Sequence, residues 1–313
     1  MGLSKNYLGQ IRCMVNKALI IGALGQDGYY MSKLLSSRGY EVHGVSKPNA
    51  SYVKVNKMGV LGIDLLDKKC IRHVLKSIDP NLVFNFAGVS NVFSPWEDLD
   101  SILDVNTRMP QNCLEIIAKE FPHIRFFQSS SCLRFGKDKS GYQDESTPMS
   151  PIYPYGASKA YADELVKLYR EEFGIYACSA IFYNHESPRR EDRFFTKKIT
   201  NAAKTKTKIK VGDLDAKRDL GYASDFMEAA HLMMTQDIPE DYIIGTGNLI
   251  SMREFADRAF SLVGLDYRDY LEPDESFKRK DTEILRANIT KIKTNLGWEP
   301  KTSIDELIKI MMQ

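Results

Sequence analysis

Tyr155 and Lys159, a tyrosine and a lysine four residues apart, form the pair in this sequence best suited to acid–base chemistry. In a helix both would lie on one face, because residues four apart are neighbours there. A lysine ammonium favours the phenolate form, so it lowers the pKa of a nearby tyrosine toward neutral pH. Such a tyrosine can exchange a proton with a hydroxyl or carbonyl group. Ser131 ends a serine run upstream of the pair, and its hydroxyl can hydrogen-bond the same reacting oxygen.

A glycine-rich stretch, Gly22-Ala-Leu-Gly25-Gln-Asp-Gly28, indicates that a dinucleotide works together with this pair. It lies between a short apolar run and a helical pattern, where glycines let backbone amides approach a pyrophosphate at a helix N-terminus. A nicotinamide dinucleotide would add hydride transfer to the proton transfer of Tyr155. The predicted cofactor-binding residues of this region and of the pair are Gly22, Gly25, Gln26, Asp27, Gly28, Tyr155 and Lys159.

The end of the second strand predicts which dinucleotide binds. An acidic residue there would hold the ribose 2′-hydroxyl of NAD. The sequence instead has Ser46, Lys47 and Ser51 near this point, which suit a 2′-phosphate, so we expect NADP(H) rather than NAD(H). Asp64 follows a third strand-like stretch, where an adenine contact is expected.

Strand-like and helical patterns alternate along the chain, which predicts an α/β fold with a doubly wound, Rossmann-type parallel sheet. The strand-like segments are 18–21, 41–45, 82–86, 124–128 and 176–182, and the main helical ones are 29–38, 109–119 and 158–173. The pattern loosens after about residue 183, where we expect a smaller C-terminal substrate-binding lobe. The predicted division is an extension at 1–16, an NADP-binding domain at 17–182 plus about 220–247, and a substrate-binding lobe at about 183–219 plus 248–313.

Composition limits the partners and the compartment. The 313 residues carry a net charge of only +2, which gives no support for nucleic acid as a partner. No apolar run approaches the length of a membrane span, so no membrane association is expected. The five cysteines are scattered and never spaced as Cys-x-x-Cys, so we predict no disulfide framework, no metal site and a cytoplasmic location.

The chain resembles the extended short-chain dehydrogenase/reductases that act on nucleotide sugars, and most of all the GDP-mannose 4,6-dehydratases. The shared stretches cover nearly the whole chain from residue 17 onward. They are Gly25-Gln-Asp-Gly28, Gly39-Tyr-Glu-Val-His-Gly44, Tyr153-Pro-Tyr-Gly-Ala-Ser-Lys159, Asn184-His-Glu-Ser-Pro-Arg-Arg190, Gly212-Asp-Leu-Asp-Ala-Lys-Arg-Asp219 and Leu296-Gly-Trp-Glu-Pro300.

This resemblance implies an NADP-type cofactor, a GDP-sugar substrate and a homodimer or homotetramer paired through long helices. It also implies that Ser131, Tyr155 and Lys159 are the catalytic trio. The residues that it implies around the substrate nucleotide and diphosphate are Asn184, Arg190, Arg218 and Arg279. Arginine suits that role because its planar guanidinium binds phosphate through two hydrogen bonds.

One stretch departs from the dehydratase pattern Ser-Thr-Ser-Glu-Leu-Tyr-Gly. The matching residues 130–136 place Leu133 where the family has its glutamate. A 4,6-dehydratase needs an acid–base group to remove the carbon 5 proton and to protonate the departing carbon 6 hydroxyl, and leucine cannot exchange a proton. Arg134 and Phe135 follow, and we expect them to change the shape and charge of the pocket wall beside the sugar.

Two residues offer replacement proton chemistry. Cys132 is a candidate catalytic thiol, and GDP-fucose synthases, a related family, use the cysteine of a similar Ser-Ser-Cys turn in epimerisation. A small cysteine after a strand is also an ordinary packing residue, so both roles stay open. His185 is a candidate second proton carrier.

The expected function is therefore hydride transfer at carbon 4 of a nucleotide sugar by a 4-keto-sugar reductase, an epimerase or a dehydrogenase. The resemblance implies that this nucleotide sugar is a GDP-hexose. One alternative is a 4,6-dehydratase that uses Cys132 or another group in place of the glutamate. A second alternative is a dinucleotide-binding protein without catalysis.

Overall fold

The computed structural model describes residues 16–90, 96–97, 99–136, 138, 140–274 and 284–313. Strands and helices alternate through most of this length, as the sequence predicts. Along the described residues the strands are β1 (Lys17–Ile21), β2 (Glu41–Ser46), β3 (Val53–Val55), β4 (Met58–Gly62), β5 (Leu82–Asn85), β6 (Arg125–Ser129), β7 (Ala177–Phe182), β8 (Asn184–Glu186), β9 (Ile209–Val211), β10 (Lys217–Tyr222), β11 (Tyr242–Ile244), β12 (Leu249–Ser251) and β13 (Leu271–Pro273).

The helices pack on both faces of the main sheet and form much of the second lobe. In the same residues they are α1 (Gln26–Ser37), α2 (Lys68–Ile78), α3 (Leu99–Leu103), α4 (Met109–Glu120), α5 (Pro154–Phe173), α6 (Phe195–Thr205), α7 (Ala223–Met234), α8 (Met252–Ser261), α9 (Thr290–Leu296) and α10 (Ile304–Met311). None of the described helices is long and apolar enough to cross a membrane.

Eight strands form the main sheet in the order β11-β7-β6-β5-β1-β2-β4-β3. All neighbours are parallel except β3, which pairs antiparallel with β4 at one edge. The chain moves outward from β1 in both directions, toward β2 and toward β5. The carboxyl ends of β1 and β5 therefore border a switch point, where open α/β sheets bind their ligands. The predicted Rossmann-type sheet is confirmed.

Alternating apolar side chains on the strands make the two cores of this domain. Ile20 and Phe84 point toward α1 and α7, whereas Leu19 and Val83 point toward α2, α4 and α5. The side chains on both faces are nearly completely buried. A strand that buries both faces needs a continuous apolar run, which is the pattern that the sequence has at these strands.

The second lobe has its own core, built from α6, α8, α10 and the short sheets β12-β10-β8 and β13-β9. The predicted division assigned all of residues 248–313 to this lobe. Ile292 of α9 and Trp298 instead lie in the α1–α7 core of the first domain. Near residue 298 the chain therefore returns to the first domain, and α10 then packs on the second lobe.

Candidate active site

A cleft opens at the carboxyl ends of β5, β6 and β7, between the main sheet and the second lobe. The volume of the cleft, counted together with the solvent space at its mouth, is about 1760 Å³. Its floor carries Phe86 and Gly88 after β5, and residues 129–133 at and after β6. The carboxyl ends of parallel strands meet at one edge of a sheet, so residues far apart in the sequence converge here.

Ser131, Tyr155 and Lys159 all line this cleft, as the sequence predicts. Ser131 follows β6, and its hydroxyl lies close enough to Tyr155 to lower the pKa of the phenol. Lys159 is 2% exposed, and its Nζ atom donates to the carbonyl oxygen of Ser129 at 2.7 Å. The same Nζ atom lies 5.8 Å from the centre of the Tyr155 ring. Ser131, Tyr155 and Lys159 therefore lie together in one part of the cleft.

Burial is the largest influence on the pKa values of Tyr155 and Lys159. It raises the pKa of Tyr155 to about 12, contrary to the predicted lowering toward neutral pH, and the nearby Ser131 hydroxyl opposes that rise. Burial also lowers the pKa of Lys159 to about 8, against the attraction of the Asp163 carboxylate. Tyr155 is therefore a proton donor at neutral pH, and it needs added positive charge nearby to act as a base.

Helix α5 begins at Pro154, four residues before the predicted start, so Tyr155 lies in its first turn. A buried asparagine that the sequence analysis missed, Asn106, holds this helix against the β5 loop. Its side chain accepts from Val89 N at 2.8 Å and donates to the Ser158 hydroxyl at 3.0 Å. Asn106 lies in a π-helical turn, 104–108, and such turns often occur at functional sites. An asparagine inside a helical apolar pattern was the available signal.

The glycine turn has the tight packing that a dinucleotide site requires. Gly22 has φ of +82°, and a Cβ atom there would lie 2.7 Å from the backbone nitrogen of Ala87. A Cβ atom on Gly28 would lie 2.6 Å from the carbonyl oxygen of Gly22. Only glycine lets β1, α1 and the end of β5 approach so closely, and the first amides of α1 face the edge where ligands bind. These residues therefore fit a dinucleotide pyrophosphate.

The side chains of Gln26 and Asp27 make contacts that the sequence did not predict. Asp27 lies 3.0 Å from Nε2 of His185, and Gln26 donates to the carbonyl oxygen of His185 at 3.0 Å. Nδ1 of His185 lies 2.8 Å from the carbonyl oxygen of Tyr183. Both nitrogens of His185 are thus occupied, which corrects its predicted role as a second proton carrier. Direct contact of Gln26 and Asp27 with a cofactor stays a prediction.

Ser46, Lys47 and Asp64 lie at the carboxyl ends of β2 and β4, outside the cleft just described. Lys47 is exposed, and Asp64 is exposed and accepts from Leu66 N at 2.9 Å. The 47–50 loop folds back onto Gly62, where a Cβ atom would lie 2.4 Å from the carbonyl oxygen of Ala50. These residues are on the edge of the sheet that carries the glycine turn, so their predicted contacts with the cofactor remain open.

Three of the four predicted substrate-binding residues, Asn184, Arg190 and Arg218, line the cleft. The guanidinium of Arg190 lies 3.5 Å above the Phe194 ring, and its Nε atom lies 3.3 Å from the Glu186 carboxylate. Arg279 lies outside the described residues.

Leu133 and Cys132 also line the cleft, next to Ser131 in the chain. Cys132 is 4% exposed and packs with Phe135 and Tyr183. It is both a packing residue and a wall residue of the cleft, so the structure leaves both predicted roles in place. Leu133 puts an aliphatic surface where the dehydratase pattern has a carboxylate.

The predicted effect of Arg134 and Phe135 on the pocket wall is wrong. Phe135 is fully buried in the core beneath the cleft. Arg134 points away from the cleft toward α5, where its Nη1 atom donates to the Asp163 carboxylate at 2.7 Å. Ser130 donates to the same carboxylate. The short 3₁₀ turn at Cys132–Arg134 rotates these two side chains inward, which the linear pattern did not indicate.

Within the part of the chain that the structure describes, no group of three or more histidine, cysteine, aspartate or glutamate side chains could hold a metal ion.

A family model and several known proteins match this chain over nearly its whole length. The family model for GDP-mannose 4,6 dehydratase matches residues 19–311. GDP-mannose 4,6 dehydratase 1 of Arabidopsis thaliana is 36% identical, over 94% of this chain and 88% of its own length. The GDP-mannose 4,6 dehydratase of Homo sapiens is 31% identical, over 95% and 90% of the two chains.

Solved structures share the fold at lower identity. The UDP-glucose 4-epimerase of Thermotoga maritima with UDP-glucose superposes with a TM-score of 0.86 at 22% identity, over 95% of this chain and 97% of its own. The dTDP-glucose 4,6-dehydratase of Bacillus anthracis in complex with NAD has a TM-score of 0.84 at 21% identity, over 96% of both chains. The match over nearly the whole length, together with the trio in the cleft, shows that this chain belongs to the GDP-mannose 4,6-dehydratase family of nucleotide-sugar dehydratases and epimerases.

Proposed function

We propose that this protein transfers a hydride at carbon 4 of a GDP-hexose with NADP(H), without 4,6-dehydration. It would act as a 4-keto-sugar reductase, an epimerase or a carbon 4 dehydrogenase. The observation that carries this proposal is Leu133 on the cleft wall beside an intact Ser131, Tyr155 and Lys159 trio.

Tyr155 would carry the proton in either direction. In reduction it donates its proton to the carbonyl oxygen at carbon 4, for which a protonated tyrosine is the correct starting form. In oxidation it takes the proton of the carbon 4 hydroxyl, while Ser131 holds the same oxygen. The bound dinucleotide would donate or accept the hydride, and its oxidised ring would add positive charge near Tyr155. Lys159 would favour the phenolate and hold the nicotinamide ribose.

Dehydration needs a further acid–base group, and the described cleft carboxylates are poorly placed to serve. Asp27 faces His185, whereas Glu186 accepts from Thr196 at 2.8 Å and pairs with Arg190. Asp213 is exposed and accepts from Asp215 N at 2.9 Å. Each of these three carboxylates is already engaged by a protein partner, so the described cleft residues offer no free carboxylate in place of the family's glutamate.

The second candidate is a 4,6-dehydratase in which Cys132 does the work of the glutamate. Two observations favour it. Cys132 lines the cleft close enough to Tyr155 to affect the pKa of its hydroxyl, and the relatives in the family are named as dehydratases.

The choice of GDP and of NADP(H) depends on different residues. Arg190 and Arg218 give the cleft two guanidinium groups suited to a diphosphate, and family membership favours guanine as the base. NADP(H) is favoured by Ser46 and Lys47 at the end of β2, where no acidic residue is present to hold a 2′-hydroxyl.

Mass spectrometry of the sugar nucleotide tests the proposed reaction. With GDP-mannose and NADP⁺ we expect no loss of water. With a GDP-4-keto-sugar and NADPH we expect a gain of two hydrogens if the enzyme is a reductase. A carbon 4 dehydrogenase should instead remove two hydrogens from a GDP-hexose with NADP⁺, and a carbon 4 epimerase should convert a GDP-hexose into an isomer of unchanged mass that chromatography separates. NADPH should support faster turnover than NADH. Loss of water from GDP-mannose would contradict the proposal. Its disappearance in Cys132→Ser would then support the second candidate.

We also propose a homodimer, or a tetramer of such dimers, formed through α4 and α5. These helices pack side by side, and Tyr161 and Leu168 of α5 are 46% and 50% exposed. Light scattering after size-exclusion chromatography should give at least twice the mass of one chain for the wild type and a smaller mass for Leu168→Lys. A single-chain mass for the wild type would rule out this assembly.

A further inference from the structure

Four residues join the start of α1 to the segment that follows β7, and we call them the 26–187 clip: Gln26, Asp27, His185 and Ser187. Nε2 of His185 lies 3.0 Å from Oδ1 of Asp27. Gln26 donates to the carbonyl oxygen of His185 at 3.0 Å and accepts from the Ser187 hydroxyl at 2.7 Å. One side of the clip is the turn proposed to bind the dinucleotide. The other side runs directly into Arg190, proposed to bind the sugar nucleotide.

The hydrogen-bond geometry fixes His185 as an imidazolium. Its Nδ1 atom faces a backbone carbonyl, which can only accept, at 2.8 Å. Its Nε2 atom faces the Asp27 carboxylate, which also accepts. Both ring nitrogens therefore donate, and the ring is charged. With both protons engaged in a buried site, His185 is a positioning residue.

The surrounding charges agree with this assignment. Burial by itself would lower the pKa of His185, but the Asp27 carboxylate outweighs burial and Arg190, and the pKa is raised. Burial would raise the pKa of Asp27, but His185 and Arg190 hold it below its ordinary range. The rings of Phe182 and Phe226 lie 5.0 Å from the His185 ring and limit its movement.

We propose that the clip couples the two binding sites, so that each nucleotide binds more tightly when the other is bound. A dinucleotide bound at the glycine turn would restrict the movement of the start of α1. Through the hydrogen bonds of the clip it would also restrict the movement of residues 185–190. The second ligand would then bind a segment that is already ordered. Less conformational entropy would be lost on that second binding step, so the coupling is positive. This inference rests on the proposed function for its two ligands. Coupling of this kind typically changes affinity by about 5–150-fold, equally in both directions.

Calorimetric titration tests the coupling without any turnover. The dissociation constant of GDP is measured with and without saturating NADP⁺, and that of NADP⁺ with and without GDP. For the wild type we expect the two ratios to agree and to exceed about fivefold. Asp27→Ala should bring both ratios close to one, and Asp27→Asn, which keeps the side-chain size, should give an intermediate value.

The chain offers a matched control in the exposed His123–Asp79 pair, which has the same 3.0 Å separation on the surface. Asp79→Asn should leave both ratios at the wild-type value. If Asp27 only contacts the cofactor, Asp27→Ala will weaken NADP⁺ binding but keep the ratio, and that result would overturn the inference. A wild-type ratio of one would also overturn it. Failure of the wild type to bind either nucleotide would instead refute the proposed function as well.

The pH dependence gives a second readout. The raised pKa of His185 means that its contribution is complete below its ordinary 6.5 and is lost as the pH rises through the raised value. The lowered pKa of Asp27 means that its contribution is complete above 3.8 and is lost in stronger acid. The coupling ratio should therefore fall at alkaline pH in the wild type but not in His185→Gln. Ligand phosphates ionise equally with both proteins, so a fall of equal size in both would contradict the role of His185.

Discussion

Replacing Tyr155 by phenylalanine is expected to lower kcat for reduction of a GDP-4-keto-sugar by about 10²- to 10⁴-fold. Phenylalanine keeps the ring but removes the hydroxyl that lies beside Ser131 and carries the proton. No other described side chain combines a proton donor with this position beside Lys159. The measurement is the rate of NADPH oxidation at saturating substrate.

The control for this substitution is Tyr169→Phe, which removes a hydroxyl from the same helix. Tyr169 stacks on Phe173 and packs in the core behind the sheet, away from the cleft, so turnover should stay at the wild-type rate. Binding of NADP⁺ by Tyr155→Phe should persist while turnover is lost. This combination is expected of an enzyme and not of a protein that only binds dinucleotides. Wild-type turnover by Tyr155→Phe would refute the assignment of this residue.

Replacing Arg134 by methionine is expected to lower the free energy of unfolding by about 3–5 kcal/mol. The Arg134 and Asp163 side chains are 9% and 5% exposed, so methionine would leave a buried carboxylate without its cation. Burial already raises the pKa of Asp163, and Arg134 is the main group that opposes this rise. Equilibrium unfolding in urea, followed by circular dichroism, measures the loss.

Two further variants define the source of that loss. Arg134→Met combined with Asp163→Asn removes both charges and should be more stable than Arg134→Met alone, because an uncompensated buried charge is the main cost. Arg268→Met breaks the exposed pair with Asp266 and should cost less than about 1 kcal/mol. A loss of that small size for Arg134→Met would show that the buried pair does not stabilise the fold as proposed.

Local patterns of residue types suffice to predict the α/β alternation and the site elements that depend on local spacing. Buried parallel strands require continuous apolar runs, and a turn between strand and helix with Gly22 and Gly28 leaves space for no side chain. Tyr155 and Lys159 share a helix face because they are four residues apart. The strand ends place Ser131 at the same edge of the sheet. Each of these features follows from backbone geometry over a few residues, so it could be predicted without coordinates.

The contacts of the polar side chains, in contrast, depend on how distant parts of the chain pack together. Arg134 pairs with Asp163 across 29 positions of the sequence, and Asp27 pairs with His185 across 158. Trp298 of the returning segment donates to the carbonyl oxygen of Asp225 across 73 positions. Such contacts depend on how elements pack and on which buried donors and acceptors must be satisfied, and local spacing carries no record of either. For this reason the sequence located the cleft, and His185 on its wall, but misplaced Arg134 and Phe135 and did not indicate the contacts that engage both nitrogens of His185.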